Sequence, residues 1–219
     1  MQNFEAVVFD MDGVIFDSER LVLECWDEVA RKYGIENMEP VCLKCTGLTV
    51  AASRDVMKAH YGQDFPYDEY KKEMSDLFHS RYDGGRLPLK PGVIELLTFL
   101  KEHDKKIALA SSTRRAVVQA ELADAGIIDF FDAIICGDMV EHSKPAPDIF
   151  LKACECLKVS PELAYGIEDS HNGIRSSHAA GMRPIMVPDL VPSTEEMKQL
   201  SEVILPSLVE VREYLADTI

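Results

Sequence analysis

The sequence has no apolar run that approaches roughly 18 residues, the length that a membrane-spanning helix needs, and no signal peptide precedes its first apolar run. It is also poor in basic residues, since 23 Lys and Arg stand against 38 Asp and Glu, for a net charge of −15 over 219 residues. Such a surface repels a phosphate backbone, which argues against nucleic-acid binding. We therefore expect a cytoplasmic protein without a membrane or nucleic-acid partner.

The cysteines form no convincing zinc or disulfide pattern. Cys42 and Cys45 have the spacing of half a zinc site, but no second pair of ligands stands at a suitable distance along the chain. Cys154 and Cys156 fall in a helical pattern, where residues two apart point in different directions. We therefore interpret the six cysteines as reduced thiols.

A change of periodicity divides the chain. Residues 17–84 follow the first apolar run with helical spacing and no convincing strand, and further helices are expected at 50–60 and 67–82. Ser18 is the expected N-cap of the first helix, and Gly34 is its expected end. From residue 85 onward, apolar runs alternate with helical patterns. Strands are expected at 6–9, 107–110, 133–136, 164–167, 184–187 and 203–205.

This alternation predicts the α/β class, with a doubly wound, Rossmann-like parallel sheet as the core. The all-helical stretch is then an insertion after the first strand. We expect a catalytic core domain from residues 1–16 and 85–219 and an inserted α-helical cap domain from residues 17–84. Because the insertion leaves the carboxyl end of a strand, it is placed where a lid could cover that edge of the sheet.

Polar residues follow four of the predicted strands. In chain order they are Asp10 with Asp12, then Ser111 with Ser112 and Thr113, then Lys144 in the loop after the third strand, then Glu168 with Asp169. Each group alone has an ordinary explanation as a solvated turn, a helix cap or a surface charge. If the strands are neighbours, however, a parallel sheet brings all four ends to one edge, where such folds bind ligands. The joint pattern favours a single site.

The residue types suit phosphoryl transfer, which needs an in-line nucleophile, positive charge and a divalent cation. Asp10 is the candidate nucleophile, and Asp12 is the candidate general acid and base. Asp169, with Glu168 as a further candidate, would complete a Mg²⁺ site with Asp10.

The remaining strand-end residues suit the phosphate group itself. The Ser111 hydroxyl and the backbone amide of Ser112 can donate to phosphate oxygens. Lys144 supplies fixed positive charge and can hold the Asp10 carboxylate in place.

These motifs resemble those of the haloacid dehalogenase superfamily, in the branch with a small helical cap after the first strand. Asp10-Met11-Asp12-Gly13-Val14 resembles the first motif, Ser111 the second, Lys144 the third and Glu168-Asp169 the fourth. The resemblance implies that the carboxylates of Asp10 and Asp169 and the backbone carbonyl of Asp12 hold Mg²⁺. The second aspartate also argues against a dehalogenase, since dehalogenases lack it.

Within that branch the chain resembles the β-phosphoglucomutase-like phosphatases. The resemblance implies a Mg²⁺-dependent phosphomonoester hydrolase that acts on a small phosphorylated metabolite, a sugar phosphate, through an aspartyl-phosphate. The alternative is a β-phosphoglucomutase that interconverts hexose 1- and 6-phosphates. The mutase carries a cap histidine and a cap arginine where this chain has Val22 and Val50, although Arg54 lies one turn further on and could substitute. A catalytically silent binding protein is disfavoured by the intact motifs.

The substrate would be selected by side chains of the cap, and the sequence does not say which of them face the site. The candidates are Arg20, Thr49, Arg54, Lys71, Lys72 and Arg81. Arg114 and Arg115 are candidates for contact with a second anionic group. We interpret His171 as a loop residue near the site, and we expect a monomer.

Overall fold

The computed structural model describes residues 4–46, 48 and 50–219. Within these residues, parallel strands form a six-stranded sheet in the order β3-β2-β1-β4-β5-β6. The strands are β1 (Ala6–Phe9), β2 (Lys106–Ser111), β3 (Ala133–Cys136), β4 (Ala164–Glu168), β5 (Arg183–Met186) and β6 (Val203–Ile204). This confirms the predicted fold class and places each predicted strand within one residue of its observed ends.

The first strand lies in the middle of the sheet. Phe9 is in register with Leu109 of β2 on one side and with Ile167 of β4 on the other. All four residues of β1 are fully buried, as a continuous apolar run requires of a central parallel strand. The strands that carry the first, second and fourth motifs are therefore neighbours, which was the condition on which the predicted site depended.

Alternate residues of β1 enter two different cores, one on each face of the sheet. Val7 and Phe9 belong to the larger apolar cluster, whereas Ala6 and Val8 belong to the other. Helices cover both faces, so the sheet is doubly wound. They are α5 (Val93–Glu102), α6 (Arg115–Asp124), α7 (Asp148–Leu157), α8 (His171–Ala179), α9 (Glu195–Leu200) and α10 (Leu208–Ala216).

The stretch between β1 and α5 is helical, as predicted. It contains α1 (Ser18–Tyr33), α2 (Met38–Cys42), α3 (Val50–Tyr61) and α4 (Tyr67–Tyr82), and we call it the helical segment. Gly34 ends α1 in the left-handed conformation at φ 66°, which confirms its predicted role. No helix of the described residues is both long and apolar enough to cross a membrane.

The predicted N-cap role of Ser18 is wrong. Asp17 occupies the N-cap position and Ser18 is the first residue of α1. The Ser18 hydroxyl instead donates a hydrogen bond of 2.7 Å to Oδ1 of Asp12. The Ser18 side chain therefore contacts Asp12, outside the helix, instead of capping α1 as the local rule predicts.

Two linkers join the helical segment to the sheet, and they run side by side. The amide of Asp17 donates to the carbonyl of Pro88 at 3.0 Å, and the amide of Lys90 donates to the carbonyl of Ile15 at 2.9 Å. Phe16 and Leu89 form an antiparallel bridge between these bonds. The helical segment thus leaves and rejoins the sheet at one place, above the carboxyl end of β1.

Candidate active site

Asp10 continues the line of β1 at the carboxyl edge of the sheet. Its amide donates to the carbonyl of Ile167 at 2.9 Å, so the backbone is fixed by the neighbouring strand. The Asp10 side chain is buried, with 8 % of the residue exposed. A buried carboxylate at this edge needs a positive partner, because an unpaired charge is costly to desolvate.

Lys144 supplies that partner from the loop after β3. Its Nζ donates to Asp10 Oδ1 at 2.6 Å, to Glu168 Oε1 at 2.6 Å and to the carbonyl of Ala110 at 2.9 Å. An ammonium group has three donor hydrogens, and these contacts use all of them. Burial alone would lower the pKa of Lys144, but the carboxylates of Asp10 and Glu168 raise it, so the side chain is a fixed cation.

Glu168 ends β4 and is completely buried. Besides Lys144, its carboxylate accepts the Ser170 hydroxyl at 3.2 Å. Gly173 packs directly against this group, since a Cβ atom at that position would lie 1.8 Å from the Glu168 carboxyl carbon. Both oxygens of Glu168 therefore already accept hydrogen bonds from the protein.

Asp169 is different, because its buried Oδ2 has no hydrogen-bond partner among the described residues. This oxygen lies against the backbone of Gly13, where a Cβ atom would stand only 2.4 Å away. Gly13 has φ 78° and no side chain, so it leaves room for the carboxylate. A buried carboxylate oxygen without a donor is an expected position for a cation ligand.

The charges of this cluster do not balance. Asp10, Glu168 and Asp169 offer carboxylate oxygens within 4.8 Å of one another, and Lys144 is the cation bonded to two of these three groups. Burial first, and then the neighbouring Glu168 carboxylate, raises the pKa of both Asp10 and Asp169 well above the usual range of a carboxyl group. A hard divalent cation with oxygen ligands would relieve this repulsion. The residues present therefore fit a magnesium-type ion.

Asp12 is held by hydroxyl groups from both sides of the cleft. Its Oδ1 accepts the Ser18 hydroxyl at 2.7 Å, and its Oδ2 accepts the Thr113 hydroxyl at 2.9 Å. Ser18 belongs to the helical segment, whereas Thr113 follows β2. These contacts fix the direction of the carboxylate beside Asp10.

The predicted phosphate-binding residues lie at the same edge. Ser111 is fully buried at the end of β2, and its Oγ accepts the amide of Thr113 at 3.0 Å. Ser112 is exposed and lines the cleft in front of Asp10, as Lys144 does from the other side. The structure thus brings all the strand-end residues of the prediction together.

The fold and the site match one known family. The sequence profile of the haloacid dehalogenase-like hydrolases matches residues 7–187, which is most of the chain. The chain belongs to this family. All of the strand-end side chains described above fall within the matched range.

Proteins named as phosphatases and a protein named as a mutase both occur among its relatives. The chain is 32 % identical to a phosphorylated carbohydrates phosphatase of Thermotoga maritima, over 96 % of this chain and 96 % of that protein. It is also 32 % identical to the β-phosphoglucomutase of Bacillus subtilis, over 94 % of each chain. The crystal structure of CbbY from Rhodobacter sphaeroides in complex with phosphate is similar, with a TM-score of 0.76 and 28 % identity over 95 % of this chain and 96 % of that one.

In this hydrolase, Asp10, Lys144 and Asp169 of the buried cluster line a cleft of about 900 Å³ between the sheet edge and the helical segment. Most of the cations predicted for the helical side are held in ion pairs. Arg20 pairs with Asp17 and Glu24, Arg54 with Asp68, Lys72 with Asp76, and Arg81 with Glu28. Lys71 and Lys72 both line the cleft, whereas Thr49 lies outside the described residues.

Three further predictions concern residues beside the motifs. Arg114 lines the cleft and is exposed, but Arg115 does not line it. His171 is the first residue of α8 and not a loop residue as predicted, and its Nε2 lies 2.9 Å from the carbonyl oxygen of Pro192.

Sequence reasoning missed two acidic residues of the site. Glu19 faces the cleft from α1, and burial together with the charge of Asp12 raises its pKa to about 7. Asp189 accepts Lys90 Nζ at 2.7 Å with one oxygen, while its buried Oδ2 lies 3.3 Å from the position of a Cβ atom on Gly13. Glu19 directly follows Ser18 in the chain, but no local signal marks Asp189.

Proposed function

We propose that the protein is a Mg²⁺-dependent phosphatase that hydrolyses a small phosphomonoester, a sugar phosphate, through an aspartyl-phosphate. The observation that carries this proposal is the pairing of Asp10 with Lys144 at 2.6 Å beside Asp12 at the open edge of the sheet. The carbohydrate phosphatase among its relatives supports the substrate class. The cytoplasmic location, the monomeric state and the division into a core and a cap domain stay predictions.

In the proposed mechanism, Asp10 attacks phosphorus and forms an acyl phosphate while the bond to the leaving oxygen breaks. Asp12 donates a proton to that oxygen, so the product leaves as an alcohol. Asp12 then accepts a proton from water, which attacks phosphorus and releases inorganic phosphate and the free Asp10 carboxylate. The hydroxyls of Ser18 and Thr113 direct the Asp12 carboxylate in both steps.

The phosphoryl oxygens would be bound by the amide of Ser112 and the Ser111 hydroxyl, and the Lys144 ammonium would supply fixed positive charge beside them. Asp10, the backbone carbonyl of Asp12 and Asp169 would hold Mg²⁺, whose positive charge would lower the repulsion between the phosphoryl group and the carboxylates. Glu168, the further candidate ligand, already binds Lys144 and Ser170, and these contacts favour a role in positioning Lys144.

The mutase alternative has less support from the helical segment. Val22 lines the cleft where the resemblance places a histidine in the mutase, and Val50 lines it where the mutase has an arginine. Arg54, the possible substitute, pairs with Asp68 at 2.7 Å and is not among the residues that line the cleft. These contacts favour water as the acceptor of the phosphoryl group.

The test is a phosphate-release screen over sugar phosphates, nucleotides and phosphoglycolate, with Mg²⁺ and then with EDTA. We expect release on at least one ester, its loss in EDTA, and its recovery with added Mg²⁺. β-Glucose 1-phosphate separates the two activities, since a mutase yields glucose 6-phosphate and a phosphatase yields glucose and phosphate.

Asp10→Asn should lower phosphate release by at least about a thousandfold, because the amide is not a nucleophile. Its circular dichroism spectrum should match that of the unchanged protein. Asp129→Asn makes the same change at an exposed position and should retain full activity. Normal turnover by Asp10→Asn would disprove the nucleophile assignment.

A further inference from the structure

Two aspartates at the sheet edge each turn one buried oxygen toward the backbone of Gly13. They are Oδ2 of Asp169 and Oδ2 of Asp189, and neither oxygen has a hydrogen-bond partner among the described residues. A Cβ atom on Gly13 would lie 2.4 Å from the first oxygen and 3.3 Å from the second. Both oxygens therefore stand close to one point in space, where the two carboxylates repel each other.

Asp169 already belongs to the buried cluster that fits a cation, whereas Asp189 lies just outside it. The carboxylate oxygens that lie within 4.8 Å of one another come from Asp10, Glu168 and Asp169, of which Asp169 is only 2 % exposed. Asp189 approaches the same place from the loop after β5. Mg²⁺ usually keeps several of its water molecules when it binds a protein. A carboxylate beside the ligand oxygens, but not among them, is placed to accept a hydrogen bond from such a water.

Lys90 is the partner that holds Asp189 in this direction. Its Nζ donates to Oδ1 of Asp189 at 2.7 Å and lies 3.9 Å from Oδ1 of Asp17. The pair is largely buried, with 21 % of the Lys90 side chain and 11 % of the Asp189 side chain exposed. A bare carboxylate oxygen is costly to bury. Because Oδ2 has no donor of its own, the bond from Lys90 is what keeps the Asp189 carboxylate turned inward.

Lys90 also belongs to the linkers of the helical segment. Its amide donates to the carbonyl of Ile15 at 2.9 Å, and the amide of Asp17 donates to the carbonyl of Pro88 at 3.0 Å. The Lys90 side chain therefore joins the paired linkers to the loop after β5. The direction of the Asp189 carboxylate depends on where the linkers hold this ammonium group.

We propose that Asp189 is a further acidic residue of the cation site, which accepts a hydrogen bond from water bound to the cation and is positioned for this by Lys90. The affinity of the site for the cation then depends on linkers that lie outside it. This inference rests on the proposed function for the presence of a divalent cation, but not for the ester or the reaction. Asp189 acts through the cation and its water and touches no reacting atom, so it is a positioning residue.

The first experiment measures Mg²⁺ binding by calorimetry, on protein freed of metal and without substrate. We expect Asp189→Asn to weaken binding by about tenfold to a hundredfold, as the loss of a group that supports metal ligands does. Asp132→Asn is the matched control. Oδ1 of Asp132 also accepts a lysine, Lys101, at 2.7 Å, but its Oδ2 accepts the amide of Ile107. This variant should bind Mg²⁺ as tightly as the unchanged protein.

Thermal unfolding separates this role from a purely structural one. In EDTA we expect Asp189→Asn to melt at or above the temperature of the unchanged protein, because its amide can donate to the unpartnered oxygen of Asp169. Added Mg²⁺ should raise the melting temperature of the unchanged protein more than that of the variant, since tighter binding stabilises the folded state more. A lower melting temperature in EDTA, with the same rise in Mg²⁺, would mean that Asp189 only supports the fold.

The number of waters on the bound ion distinguishes an indirect contact from a direct one. Mn²⁺ takes the same oxygen ligands as Mg²⁺, and water proton relaxation counts the waters that it keeps. We expect this number to be the same in Asp189→Asn and in the unchanged protein. A gain of one water in the variant would make Asp189 a direct ligand and overturn the inference.

Lys90→Met tests the positioning. In this background we expect Asp189→Asn to weaken Mg²⁺ binding by less than about threefold, because nothing then keeps the carboxylate turned inward. Lys101→Met removes the ammonium group from Asp132 instead and should leave the full effect of Asp189→Asn. An equal or larger effect in the Lys90→Met background would mean that Lys90 only neutralises Asp189, and the positioning would be wrong.

The outcomes separate this inference from the proposed function. If Mg²⁺ binds and Asp189→Asn leaves its affinity unchanged, the role of Asp189 is wrong and the phosphatase stands. If Asp189→Asn weakens Mg²⁺ binding but no ester is hydrolysed, the proposed function fails and the role of Asp189 stands. If the unchanged protein binds neither Mg²⁺ nor Mn²⁺, both are wrong.

Discussion

The sheet edge and the helical segment arrange their charged side chains in opposite ways. At the sheet edge, Asp10, Lys144 and Glu168 are buried and joined by hydrogen bonds of 2.6 Å. On the helical segment, pairs such as Arg54 with Asp68 stand in solvent, and the side that lines the cleft mixes apolar side chains with charged ones. A buried network specifies one geometry strongly, whereas exposed pairs contribute little. Under the proposed function, the sheet edge would carry the reaction, and side chains opposite it would set the selectivity.

The largest effect on stability and on phosphate release should come from Lys144→Met. Removing the cation leaves Asp10 and Glu168 buried without their ammonium partner, so we expect a loss of about 3–5 kcal/mol in the free energy of unfolding. Phosphate release should also fall by at least about a hundredfold. Urea unfolding and the release assay measure both. Lys152→Met is the control, because Lys152 donates to the Met139 carbonyl and touches no acid of the cluster. Equal losses in the two variants would contradict the importance of the buried network.

The next largest effect should come from Gly173→Ala, a variant that tests how tightly the sheet edge is packed. Gly173→Ala places a methyl group against the Glu168 carboxylate and must displace it, with Lys144 following. We expect about 2–3 kcal/mol of destabilisation, as for other overpacked sites, together with reduced phosphate release. Gly34→Ala is the comparison, since nothing lies within 4 Å of its new methyl group. There only the left-handed backbone is strained, for about 1 kcal/mol and no change in activity.

A smaller, pH-dependent effect is expected at Glu19, where the two regions meet. Its pKa in the folded protein, about 7, lies above its ordinary value of 4.5. The folded state therefore binds the proton more tightly, and the free energy of unfolding falls as pH rises from about 4.5 through 7. Glu19→Gln removes this loss, so without metal it should stabilise the protein by about 1–2 kcal/mol at pH 8, allowing for partial exposure, and by less at pH 5.

Urea unfolding in EDTA at the two pH values measures this difference. Glu69→Gln makes the same change at an exposed position of α4 and is the matched control. If Glu19→Gln stabilised equally at pH 5 and pH 8, the carboxyl group would titrate normally in the folded protein.

The smallest effect should come from Arg54→Gln. The ion pair with Asp68 is exposed, so its loss should change the free energy of unfolding by less than about 0.5 kcal/mol. We also expect unchanged kcat/KM for every ester in the screen, because Arg54 does not line the cleft. A large rise in KM for glucose 1,6-bisphosphate in this variant would bring back the mutase alternative.

The sheet edge was predictable because its signals are local. Each motif follows a short apolar run, and β1 lies between β2 and β4, so strand ends read from the sequence meet in space. The short helices at Met38–Cys42 and Glu195–Leu200 were not foreseen, since so few residues give no clear periodicity.

The roles of the side chains that face the cleft from the helical segment were much less predictable. Lys71 and Lys72 are adjacent and identical in type, and both line the cleft, but only Lys72 is bound to an acidic partner, Asp76. Asp189 reaches the site from a loop after β5, and the Ser18 hydroxyl donates to Asp12 instead of capping its own helix. Such roles depend on tertiary contacts that no local pattern records.

The paired linkers have a consequence for how this chain can change in length. Ile15 and Phe16 are bound to Leu89 and Lys90, so the stretch between them is a closed loop whose two ends are already held together by the sheet side of the molecule. The entropy of closing a loop rises only with the logarithm of its length, by about 0.6 kcal/mol for each doubling. Residues can therefore be added to or removed from the helical segment while the order of the strands stays the same. The side of the cleft formed by the helical segment can therefore vary more than the sheet edge beneath it.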